Sequence, residues 1–397
     1  MAVHFSPLER QVFGSRPPGG GDLENDKSRR RSMKRTVGVI SLGMLLLPAM
    51  AAAADSWTDK VKLKGDFRYR HETIKVENRD TRNRHRIRAR FGVEAKPIDN
   101  ILVGLQLASG SADPVSTNES LDTGFSTKDI RLDLAYFDLS FKKAPGLNIV
   151  GGKIKNPYYK PGGTELIWDG DLNPEGGALK YSGKSGNVKF FTNLGGFWVE
   201  ERGSDVDTGL FGAQGGVEFS FPDKKGSFTA GVTYYDYTNI QGQRPIFDTT
   251  KSFGNSVDGT GRYLYDYNLL ELFGEMKINA GSFPIAVFVD YVKNVAGGGV
   301  VDNQGWLLGA KAGKLKDPGS VEFRYNYRNI EKDAVLGIFT DSDFIGGGTN
   351  GKGSELGMDV QLAKNFSAGA SYFFNKLGTA AGADDYHRLQ LDLMFKF

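Results

Sequence analysis

The sequence predicts an all-β chain whose strands close into a transmembrane antiparallel β-barrel of about 16 strands in meander order. Three observations lead there. Apolar and polar side chains alternate with period two from residue 60 to the end. The connections between the alternating segments are long and short by turns. An export-type leader precedes a body in which no apolar run is long enough for a membrane-spanning helix.

The leader comes first. Residues 1–32 are polar, with Pro17-Pro18 and a basic run at 29–31, and read as a disordered or mis-assigned upstream extension with Met33 as the start. From Met33, Lys34 and Arg35 form a basic n-region, 37–47 a short apolar h-region, and Ala52-Ala53-Ala54 a small-residue cleavage site. Residues 33–54 are therefore expected to be a Sec signal peptide, too short to span a bilayer, leaving 55–397 as the mature barrel domain. The first 54 residues hold 8 of the 50 Lys/Arg and 4 of the 47 Asp/Glu, so the remainder carries 42 basic and 43 acidic side chains, a net charge of −1. The basic balance of the full chain thus belongs to the leader and gives no argument for nucleic acid. Cys is absent, which excludes a disulfide framework and thiolate metal sites.

The strands follow in order. In 60–73, Val61, Leu63, Phe67 and Tyr69 alternate with Lys62, Lys64, Asp66, Arg68 and Arg70. In 83–96, Ile87, Ala89, Phe91 and Val93 alternate with Arg86, Arg88, Arg90 and Glu94. Further strands are expected at 101–109, 129–142, 146–155, 176–182, 187–198, 210–221, 227–238, 265–278, 284–294 and 304–314. Next, 319–331 sets Val321, Phe323, Tyr325 and Tyr327 against Glu322, Arg324, Asn326 and Arg328, and 354–364 sets Leu356, Met358, Val360 and Leu362 against Glu355, Asp359 and Gln361. The last two are 366–376 and 385–397, the latter alternating Leu389, Leu391, Leu393, Phe395 and Phe397 with polar residues. Successive side chains of a strand point to opposite faces, so each segment has one apolar and one charged face. Segments of roughly 9–14 residues suit a tilted strand crossing a bilayer. Turns rich in Gly, Pro, Asn and Asp fall at 97–100, 143–146, 183–186, 222–226, 279–281, 317–319 and 364–365. Long loops are expected at 74–82, 110–128, 156–175, 199–209, 239–264, 295–303, 332–353 and 377–384. Eight long loops and seven short turns are the count for sixteen strands with both termini on one side. An aromatic at the end of the final strand fits the barrel-assembly signature. Because unpaired strand edges are costly in hydrocarbon, the first and last strands must pair.

Gly151-Gly152-Lys153-Ile154-Lys155-Asn156-Pro157 and 168–177, Trp-Asp-Gly-Asp-Leu-Asn-Pro-Glu-Gly-Gly, together with the patterning over 60–397, resemble the family of Gram-negative outer-membrane "putative porins"; the first stretch is also distantly similar to phosphate-selective porins of the O/P type. The resemblance implies a trimeric 16-stranded channel with a loop folded into the pore. The implied function is passive diffusion of small hydrophilic solutes and ions across the outer membrane, with anion or phosphate selectivity as the alternative and a barrel hydrolase as a more distant one. The implied surroundings are lipid bilayer and lipopolysaccharide, the implied assembly is a homotrimer, and no cofactor or metal is called for.

Charge on the inward face is concentrated early: Arg68, Arg70, Arg84, Arg86, Arg88 and Arg90 are expected to form a basic pore wall, since arginine facing lipid costs ~2–4 kcal/mol at mid-bilayer. The third long loop offers Glu165, Asp169, Asp171 and Glu175 as an acidic constriction opposite that wall. Such an arrangement sets a transverse field that orients dipolar solutes. The plainer expectation is that the arginines pair with Asp66, Glu94, Asp133, Asp138, Glu322 and Asp392 and merely keep the wall hydrated. His71, His85 and His387 lie at no metal-ligand spacing, and only His387 has nearby acids, Asp384 and Asp385, so no enzyme is expected. Asp341-Ser342-Asp343 lacks the twelve-residue order of a calcium loop. The glycine runs 297–299 and 346–348 precede no helix and are not phosphate cradles. Tyr69, Tyr136, Tyr234, Tyr291, Tyr325, Tyr327 and Tyr372 are expected in interfacial girdles.

Overall fold

A computed structural model describes residues 60–281 and 283–397; the expected leader, 1–54, lies outside them. The long strands are β1 (Val61–Val76), β2 (Arg82–Ile98), β3 (Ile101–Ser109), β5 (Ile130–Ser140), β6 (Leu147–Lys153), β7 (Glu175–Ser185), β8 (Val188–Glu200) and β9 (Thr208–Ser220). They continue as β10 (Gly226–Tyr237), β11 (Tyr267–Ala280), β12 (Phe283–Asn294), β13 (Gln304–Gly313), β14 (Val321–Ile330), β15 (Gly351–Ala363), β16 (Phe366–Leu377) and β17 (Asp384–Lys396). Each pairs antiparallel with its sequence neighbours, and β1 pairs with β17 from Asp66↔Lys396 to Val76↔Tyr386, so the sheet closes. Closure satisfies every edge N–H and C=O along that seam, the condition for a sheet in lipid.

β4 (Glu119–Ser120) is additional. β3 stops at Ser109, and β4 takes over its place beside β2, pairing with Arg86 and Ile87. The expected open loop 110–128 is therefore partly laid along the wall. Elsewhere strands run further than their apolar patterns, because backbone pairing needs no apolar side chain. β7 continues through Ser-Gly-Lys-Ser to a tight turn at Gly186, whose φ of 58° suits glycine.

The faces sort as the alternation requires. Phe67, Phe91, Leu105, Phe137, Leu194, Phe211, Leu272, Leu308, Leu356 and Leu393 are exposed on the outside, whereas Arg70, Glu72, Gln214, Thr233, Glu271, Arg328, Arg388 and Gln390 are buried within. This inverts the arrangement of a water-soluble protein. Tyr69, Tyr234, Tyr325 and Tyr372 face outward as expected of a girdle. Tyr136 does not: it packs against the interior cluster and donates to Glu94 at 3.1 Å.

The lumen holds an apolar core that the alternation did not announce. Inward residues of the upper wall, among them Tyr235, Tyr237, Tyr267, Leu269, Val292, Leu307 and Ile330, pack against residues of the long loops 154–174, 238–266 and 331–350. Part of the lumen is thereby filled.

Candidate functional site

The third long loop, 154–174, turns inward because its own side chains demand burial. Ile154, Tyr158, Leu166, Ile167, Trp168 and Leu172 are all buried, against wall residues such as Phe197, Leu210 and Tyr235. At its tip Gly162 and Gly163 adopt φ of 59° and 68°, reversing the chain within a short 3-10 turn. A Cβ on Gly162 would run into the Phe288 ring, so glycine also permits the close approach to β12. The tip is fixed to the far wall: Thr164 Oγ1 donates to Asp290 at 2.8 Å, the Tyr159 amide donates to Gln214 at 2.7 Å, and Tyr159 Oη donates to Glu275.

The seventh long loop, 331–350, folds in beside it. Asp333 accepts from the Ser256 amide (2.9 Å), Ser256 Oγ (2.6 Å) and Tyr267 Oη (2.7 Å). Ala334, Val335, Leu336, Ile338 and Phe344 are buried. The two loops join through Asp169: its amide donates to the Phe339 carbonyl at 2.8 Å, and its carboxylate accepts from the Ser342 amide at 2.9 Å. Trp168 stacks on Phe339 with centroids 6.0 Å apart.

Between these loops and the wall from β13 to β1 lies a charged cavity of about 250 Å³. Arg70, Lys311, Arg324 and Arg328 reach it from the wall; Glu165 comes from the third loop, Asp341 and Asp343 from the seventh, and Glu355 from β15. Arg70 donates twice to Asp392, at 2.7 Å each, and once to Asp343 at 3.0 Å. Arg328 pairs with Asp341 at 2.7 Å and Glu355 at 3.4 Å, and Arg324 with Asp359 and, at 3.7 Å, Glu355. Among the described residues of this eyelet, Glu165 and Lys311 have no ion-pair partner.

Burial, then Asp169 and Asp341 close by, push the Glu165 carboxyl well above the usual carboxylate range. Asp169 is raised in the same way by burial, Asp341 and Asp171. Burial also raises Asp341, against the pull of Arg328. For Asp343 burial is outweighed by Arg388 and Arg70, which hold it below the ordinary range. Asp171 is likewise held low, because Arg88 and Arg90 outweigh its burial. Glu165, Asp169 and Asp341 bring one oxygen each within 4.8 Å of one another. Three oxygens fall short of the six to eight that calcium takes, and Arg328 already neutralises one of them. The group is therefore a cluster of buried, mutually repelling carboxylates rather than a cation cage.

The six expected arginines all face the lumen, but they are not a bare stripe. Arg88 and Arg90 grip Asp66 at 2.9 and 2.7 Å and reach Asp171 of the third loop at 3.8 and 3.5 Å. Arg84 pairs with Glu72. Arg68 donates to Asn118 at 2.5 Å and lies 4.0 Å from Asp392. Arg86 has only Ser116 Oγ and the Asn118 carbonyl, both at 3.3 Å. Of the four expected acids, Asp171 alone meets this wall. Glu165 and Asp169 turn towards Asp341 instead. Glu175, expected on the loop, is the first residue of β7; it is paired in register with the outward Trp198 and bonded to Lys153 at 2.8 Å, away from the eyelet.

Glu72, Lys311, Glu355 and Arg388 were missed, and Asp343 enters the sequence reading only as part of a calcium loop. A signal for the seventh loop existed in the apolar run 334–339, which has no business in a solvated loop. The cross-strand facing of Asn326 and Glu355 on β14 and β15 was legible once register was known.

The sequence profile of the family described as "Putative porin" matches residues 72–263 and 269–397. No curated protein matches the sequence. Among solved structures, Salmonella typhi OmpF in complex with daunomycin is 15% identical, with 85% of this chain and 97% of that chain covered, at a TM-score of 0.53. Pseudomonas putida OprB at high pH is 12% identical, with 86% and 95% covered, at a TM-score of 0.57. At such identities the likeness concerns the fold.

Proposed function

This chain belongs to the family described as "Putative porin", and from that premise we propose that it forms a water-filled channel through the outer membrane for passive diffusion of small hydrophilic solutes and ions. The observation that carries the reading is a charged lumen narrowed by an infolded third loop inside an apolar cylinder. Glu165 of the third loop and Lys311 of β13 line the eyelet together with the paired Arg324, Arg328 and Asp341, so the lining carries groups of both signs. A permeating solute there exchanges hydration for contacts with both signs of charge, which favours small polar molecules over apolar ones. The surroundings are bilayer and lipopolysaccharide, and the assembly is a homotrimer, as the family resemblance implies; export proceeds through residues 33–54.

A preference for anions is the second reading. It is supported by Arg86 and Lys311, which have no carboxylate partner among the described residues. Swelling of proteoliposomes in neutral sugars of increasing size tests the primary reading. Swelling with the smallest sugars and a cut-off above them is expected; liposomes that stay tight to all of them contradict it.

A further inference from the structure

Two histidines far apart in the sequence meet on the wall. The register of β1 and β2 sets His71 directly opposite His85, and the two imidazole rings stand with their centroids 4.8 Å apart. Both share the parity of Tyr69 and Phe91, which face outward, so the pair lies on the outer face of the barrel, in the half of the hairpin nearer its long loop. His85 is exposed and His71 half-buried, so the pair is accessible.

One nitrogen of each ring is already engaged. Thr73 Oγ1 donates its proton to Asn83 at 2.7 Å, so His71 Nε2, 3.2 Å from the same oxygen, is the donor in that contact. The neutral ring therefore carries its proton on Nε2 and keeps a bare lone pair on Nδ1. His85 Nδ1 lies 2.8 Å from Tyr69 Oη. When Nδ1–H donates to that hydroxyl, the lone pair of His85 Nε2 is bare in turn. Metal-bound histidines are held in this manner, the far nitrogen donating to a fixed oxygen that sets tautomer and ring orientation. Metal–nitrogen bonds of about 2.0–2.1 Å at a tetrahedral angle put the centres of two ligand rings about 5 Å apart. The observed spacing is of that size, and the paired strands fix it before any ion arrives.

We propose that His71 and His85 form a binding site for a divalent transition-metal ion on the outer wall, with Thr73 and Tyr69 as positioning residues. Imidazole nitrogen selects ions such as zinc over calcium and magnesium, which take oxygen ligands. Two protein ligands leave the remaining positions of the ion open to water. The site lies outside the lumen, so the inference does not depend on conduction.

Equilibrium dialysis of the full chain, refolded in detergent, against zinc chloride tests it. The wild type is expected to bind one zinc ion more than His71→Gln or His85→Gln, whereas His387→Gln, whose ring faces Lys75 and Phe374 across its two strand pairs, keeps the wild-type number. Thr73→Val retains both ligands but removes the oxygen that orients His71, and should weaken zinc binding roughly tenfold. That variant keeps the test decisive if a histidine variant fails to fold. A wild type that binds no zinc saturably, a zinc number unchanged in His71→Gln and His85→Gln, or an affinity unchanged in Thr73→Val overturns the proposal. Magnesium chloride that displaces the zinc at equal concentration also overturns it, because the ligands would then be oxygens.

Discussion

At the scale of single residues, the site is a matter of which charges are compensated. Arg70, Arg328 and Arg388 each sit between two carboxylates, so they brace the wall and the loops rather than stand free. Glu165 is different: its neighbours are carboxylates and it has no cation within ion-pair distance among the described residues. Glu165→Gln is therefore expected to shift the reversal potential in a salt gradient towards anions, while Asp171→Asn, whose arginines keep Asp66, shifts it less. Acidity has a matching effect. Glu165 and Asp169 carry raised values in the folded chain, so the folded state holds their protons more tightly than the unfolded state does. Their contribution to docking of the third loop is fully present below the ordinary carboxylate range and is lost as pH rises through the raised values. Anion preference should accordingly grow as pH falls through the raised values, above the ordinary carboxylate range near about 4. A reversal potential that stays flat until ordinary carboxylates titrate contradicts the raised values. The inward parity of all six arginines was legible from alternation alone. Of their partners, Asp66 and Asp392 were legible as well, whereas Asp343 on the seventh loop and the pairing of Arg388 with Glu72 across the β1–β17 seam were not.

At the scale of elements, strands and connections were legible because lipid, water and backbone geometry each leave a periodic mark. The expected turns and long loops fall within a few residues of the observed ones. What the loops do was less legible. A loop that packs into a lumen has no period, and only its apolar content betrays it, as in Ile154, Leu166, Ile167 and Trp168. β4 escaped for a related reason, since two residues carry no alternation. The third loop's docking makes a prediction at this scale. Thr164→Val keeps the shape but removes the hydrogen bond to Asp290, whose other oxygen is already buried without a partner. The tip should loosen by about 1–3 kcal/mol, the cost of an unmade buried hydrogen bond. Hydrogen exchange should then be faster at the amides of 159–165 and unchanged in β11 and β12; equal protection in both proteins contradicts the anchoring role.

At the scale of the whole molecule, one sorting rule accounts for the architecture. Phe67, Phe91 and Leu393 look out while Arg68, Arg90 and Asp392 look in, on strands that are neighbours around the closed seam. The rule implies a closed sheet, and β1 does pair with β17. It does not imply how much of the interior stays open, because that depends on the loop core of Tyr158, Trp168, Tyr237, Leu336 and Phe339, which packs into the lumen. The central claim is thus that an aqueous path runs past this core through the eyelet. Current through single copies of the refolded full chain in a planar bilayer bathed in potassium chloride tests it most directly. Discrete steps linear in voltage are predicted, and a correctly folded barrel that inserts yet carries no current would contradict it.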